Sequence, residues 1–90
     1  MNTPARVVFR RWPTGDILAL FPGLPGAGYE VLSYEHVGQH GSADYPHCIR
    51  ATKAAKPHEY RALARELRRI GYRLIICKRA SRRHFHYATR

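Results

Sequence analysis

Nothing in this chain approaches the ~18 consecutive apolar residues needed to span a bilayer. The opening MNTPARVVFRRW also lacks the apolar stretch of a secretory signal, so the compartment expected is the cytoplasm, with no membrane partner. Cysteine is scarce. Cys48 and Cys77 stand far apart and form no CxxC, which in a reducing cytosol implies two free thiols and not a redox centre. Acids are the third shortage, with 6 Asp+Glu facing 16 Lys+Arg for a net charge of +10. HExxH, the zinc-finger spacing and the paired aromatics of an RNP sequence are absent, as are repeats and low-complexity segments.

What is present is enough for one domain. Ninety residues, 44% hydrophobic and 11% aromatic, support a single small core and leave no room for a second. The charge is unevenly spread. Residues 1–45 carry Arg6, Arg10 and Arg11 against Asp16, Glu30, Glu35 and Asp44, whereas every later acid is either Glu59 or Glu66. The second half is therefore the electrostatic footprint. Its natural partner is a polyanion, nucleic acid before an acidic protein surface.

Local patterns give the fold class. Ala5 to Trp12 alternates as a strand, Pro13-Thr14-Gly15-Asp16 is a turn, and Ile17 to Phe21 is a short apolar strand that Pro22 should end. PGLPGAG at 22–28 reads as a loop, Tyr29 to Tyr34 as a third strand, His36 to Tyr45 as an ordered loop, and His47 to Ala51 as one more strand. Pro57 to Ile70 is an amphipathic helix: proline suits its first position, Gly71 its end, and Tyr60, Leu63, Ala64, Leu67 and Ile70 form an apolar stripe. Tyr72 to Lys78 closes the order as a strand. A single helix covers one face of a sheet, so the class expected is α+β, with three to five antiparallel strands and one helix packed on one face. Residues 1–79 form the domain and residues 80–90 a basic extension. The uncovered face and exposed edges leave room for a homodimer.

The succession LFPGLP, SYEHVGQHGSADYPHCI and TKAAKPHEYRALARELRRIGYRL, then KR, resembles a group of small uncharacterised proteins carried on bacterial plasmids and phages. The likeness runs from about Arg6 to Arg79. It implies a bacterial mobile-element setting, and it carries no site residues with it.

The chemistry-bearing stretch is Leu32 to Cys48, which holds three histidines, two tyrosines and two glycines. Three readings compete with the plain one, in which these histidines hold a loop closed. First, Tyr34, Tyr45, His36 and His40 offer rings to unpaired bases. Meanwhile Arg61, Arg65, Arg68 and Arg69 on the helix, with Lys78, Arg79, Arg82 and Arg83 after it, neutralise phosphates. Second, His36 and His40 straddle a phosphodiester as acid and base, with Tyr34 placing it. Third, His36 and His40 join Asp44, His47 or Cys48 around zinc. The first reading is preferred: a non-catalytic nucleic-acid-binding protein, with no metal and no cofactor. The alternatives kept are a module that binds a host or phage protein, and a small histidine-dependent phosphodiesterase.

Overall fold

The computed structural model describes residues 4–35 and 39–79. Its order is β1 (Ala5–Arg11), β2 (Ile17–Pro25), β3 (Val31–Glu35), β4 (Gln39–Ala43), α1 (Tyr45–Ala51), β5 (Lys53–Ala54), α2 (Pro57–Arg69) and β6 (Leu74–Ile76). The expected class holds, a small α+β domain on a largely antiparallel sheet. The strands lie β4-β3-β2-β1, and two short strands share the free edge of β1. β5 runs antiparallel beside Arg10 and Arg11, and β6 runs parallel beside Ala5 to Val7.

The β1–β2 hairpin follows from its turn. Gly15 takes φ +98, a conformation open to glycine, and its N–H reaches the Trp12 carbonyl at 2.8 Å. The resulting register, Val8 opposite Leu20 and Phe9 opposite Ala19, sorts the side chains onto two faces. On one face Val7, Phe9, Ala19, Phe21 and Tyr34 pack against Leu63, Ala64 and Leu67 of α2. On the other, Leu18, Leu20 and Val31 pack with Ala43 and with Tyr45 and Cys48 of α1.

α2 starts and stops where its sequence says. Pro57 occupies the first turn, and Glu59 reaches back to the Lys56 N–H at 2.8 Å. At the other end Gly71 turns to φ +119. There its N–H bonds to the Arg68 carbonyl, and the Tyr72 N–H bonds to the Leu67 carbonyl, both at 3.1 Å. This is a Schellman ending, in which carbonyls orphaned by the helix end are satisfied by the reversing chain.

Four local expectations are corrected. Pro22 does not end β2. The strand continues to Pro25 because its pairing with β3 jumps from Phe21–Leu32 to Pro25–Val31, and the bulge hosts Pro22, which cannot donate to a ladder. Residues 39–43 are an edge strand and not loop, each of them paired with β3. Residues 45–51 form a helix and not a strand, capped by Asp44, whose carboxylate accepts from the His47 N–H at 3.3 Å. That helix covers part of the face expected to be open. Finally, Ile70 lies past the last helical turn and is 51% exposed, outside the buried stripe.

Candidate functional site

α2 sorts its charges by geometry. At 100° per residue, His58, Arg61, Arg65, Arg68 and Arg69 fall on one outward arc, and all five are exposed. The two acids of the helix lie on its flank and are drawn inward. Glu59 pairs with Arg11 of β1, Nε to Oε2 at 3.2 Å, and the Lys56 backbone bond holds its carboxyl below the usual range. Glu66 accepts from the Tyr34 hydroxyl at 2.5 Å. Four arginines therefore share an arc that contains no acid.

Lys78 and Arg79 follow β6. The Cys77 N–H bonds to the Val7 carbonyl and the Ala55 N–H to the Phe9 carbonyl, so the chain leaves β6 beside the start of α2. Both cations are exposed there. Two acids of the first half lie elsewhere. Glu35 and Asp44 line a cleft of about 310 Å³ on the α1 side, with Trp12, Ser33 and Cys48. Burial pushes the Cys48 thiol up, and nearby Asp44, Glu35 and Glu30 push it further. Glu35 and Asp44 thus stand apart from the arginines of α2, while Arg10, Arg50 and Lys53 gather at the C-terminal end of α1.

The histidine-rich stretch contributes one ring to the basic side. His40 stands on β4 opposite Tyr34, meets that ring edge-on at 4.7 Å, and places Nε2 2.8 Å from the Tyr72 hydroxyl. Tyr72 in turn stacks on Phe21 at 5.1 Å. His40, Tyr72, Leu24, Pro4, Ala5, Ile70, Gly71 and Arg73 line a second, open cleft of about 510 Å³.

Several site expectations change. Tyr34 and Tyr45 are 2% and 4% exposed, so neither offers a ring face to a base. Tyr34 packs under α2 on one face of the sheet, and Tyr45 packs on the other. The Tyr34 hydroxyl is committed to Glu66, which pushes its pKa up to about 12, and it is not placed to orient a substrate beside His40. His36, Arg82 and Arg83 lie outside the described residues, so the paired-histidine reading rests on His40 alone. Among the described residues no group of three or more His, Cys, Asp or Glu is arranged to hold a metal, and both cysteines are free. No described helix is long and apolar enough to cross a membrane.

Sequence reasoning missed two features. The His40–Tyr72 pair spans 32 positions, and no local pattern signals it. Arg10, counted only as charge, is turned onto the end of α1, where burial draws its guanidinium below its ordinary value. No family model, no curated protein and no solved structure matches the chain.

Proposed function

We propose that this chain is a small non-catalytic nucleic-acid-binding protein, which holds the sugar–phosphate backbone along α2. The observation that carries this reading is the acid-free arc of Arg61, Arg65, Arg68 and Arg69, whose flanking glutamates are engaged with Arg11 and Tyr34. Guanidinium groups present planar donor forks suited to phosphate oxygens. Lys78 and Arg79 lengthen the track, and 16 Lys+Arg against 6 Asp+Glu give the whole chain a field that draws a polyanion in. The bacterial mobile-element setting, implied by the resemblance of the SYEHVGQHG and EYRALARELRRIGY segments, agrees with such a role.

The test is fluorescence anisotropy of labelled single- and double-stranded DNA and RNA across a salt series. Four phosphate contacts give a slope of log affinity against log salt of about −2.8 on single strands. The double variant Arg65→Glu, Arg68→Glu brings that slope to about −1.4 or shallower, for every sequence alike. An unchanged slope in this variant sinks the assignment to α2. If no nucleic acid binds near physiological salt while an acidic protein surface does, the arc is a protein-docking face instead.

A further inference from the structure

Resting on the reading of α2 as the phosphate-binding face, we infer that the cleft between Leu24, His40, Ile70 and Tyr72 receives an unpaired base of a single-stranded nucleic acid. The cleft begins where the arginine arc ends. Arg68 and Arg69 are followed directly by Ile70 and Gly71, which form its lip, and Arg73 lies on its wall. A strand whose phosphates follow α2 toward its C-terminus arrives at this opening.

The lining matches a base in kind. Pro4, Ala5, Leu24 and Ile70 supply apolar surface, and Ile70 is 51% exposed in a chain whose other isoleucines are better covered. His40 Nε2 and the Tyr72 hydroxyl bond to each other at 2.8 Å, which leaves the hydroxyl with further hydrogen-bonding capacity for a base edge. Both rings are held in place before any ligand arrives, His40 against Tyr34 and Tyr72 against Phe21. A volume of about 510 Å³ with apolar walls and a few fixed polar groups is the usual make-up of a small-molecule pocket. A base stacked inside a duplex does not present its faces to such a pocket, whereas a splayed base does. The cleft is therefore a device for choosing single strands over duplex, separate from the arginines that bind both.

The experiment compares the whole chain with Ile70→Ser and His40→Ala, using single-stranded oligonucleotides that carry 2-aminopurine and a duplex of the same sequence. Ile70 is half-exposed and outside the helix, so its replacement leaves the fold intact, which circular dichroism checks for both variants. The expected result is about a tenfold loss of single-strand affinity in each variant, with duplex affinity and salt slope unchanged. The 2-aminopurine emission that changes on binding to the native chain should change less in the variants. Equal losses on single strand and duplex, or no loss on either, overturn the base pocket while leaving the arginine face standing. Failure of the native chain to bind any nucleic acid overturns both, and the Arg65→Glu, Arg68→Glu variant separates the two cases.

Discussion

Replacing Arg10 with methionine tests whether α1 is fastened to the sheet by one guanidinium. Nε donates to Thr52 Oγ1 at 2.9 Å, and Nη2 donates to the carbonyls of Ile49 at 3.1 Å and Thr52 at 2.7 Å. These carbonyls lie at the C-terminal end of α1, where the helix itself supplies no partner and the negative end of its dipole favours a cation. Thr52 is buried, and its hydroxyl also donates to the Cys48 carbonyl. Buried bonds to a charged group are worth roughly 1.5–3 kcal/mol each. Arg10 is only half-buried and methionine keeps the packing of its stem, so ~1 kcal/mol per bond is the appropriate figure, about 3 kcal/mol in all. In a domain of this size each kcal/mol moves the melting temperature by about 4–8 °C, which sets the expected drop at roughly 12–24 °C. Arg10→Lys keeps the charge without the fork and recovers only part of the loss. Thermal and urea unfolding followed by circular dichroism gives the global value. Trp12 emission adds a local one, because Trp12 lines a cleft with Thr52 and Arg50. Thr52→Val removes one link of the same network, so the double variant should lose less than the sum by about 1 kcal/mol. A lysine variant indistinguishable from the native chain, or additive losses, would refute the idea of a forked clamp.

Three further outcomes are expected. Arg65→Glu, a change expected to weaken the proposed polyanion binding, should raise the melting temperature by a few degrees in a thermal scan, since Arg65 sits four residues from both Arg61 and Arg69. Iodoacetamide at mildly alkaline pH should modify Cys77 well before Cys48 by mass spectrometry, because Cys48 is buried and its thiol is pushed up. Tyr34 should ionise late, at about 12, in an ultraviolet titration, and Glu66→Gln should bring it down. A tyrosine raised this way adds stability below its ordinary value near 10, lost as pH climbs from there to about 12, so alkaline unfolding should shift downward in the glutamine variant.

The legible part of the fold is the part written in short-range signals. The β1–β2 hairpin announces itself by alternation and by Pro13-Thr14-Gly15-Asp16, and α2 by its period and by Pro57 and Gly71 at its ends. β4 is not legible. QHGSA has no β-branched or large apolar residue, and it is a strand because β3 supplies the partners and Ala43 packs beside Tyr45 and Cys48. α1 was legible in principle: Asp44 before Tyr45-Pro46 is a helix start, outweighed in reading by a stretch too short to show a period. That single miss propagated into the site. A strand at 47–51 leaves one sheet face bare and Tyr45 exposed, whereas a helix there buries Tyr45; Tyr34 is buried on the other face, under α2. The arginine arc needed no tertiary information, only a 3.6-residue period, and its four residues are exposed.

The arc is also a conflict within the helix. Arg61 and Arg65, then Arg65 and Arg69, are like charges four apart, each pair costing α2 about 0.2–0.5 kcal/mol. Acids were at hand to relieve this, since Glu59 and Glu66 belong to the same helix. Both are turned to other elements, one to Arg11 and the Lys56 N–H, the other to Tyr34. Tertiary contacts thus remove the internal neutralisation that an isolated amphipathic helix would use. On its own this arrangement gains nothing for α2, whereas a line of phosphates laid along the arc relieves both repulsions. The proposed phosphate-binding role accounts for a helix that gives up stability on one surface while it is packed and capped with care elsewhere.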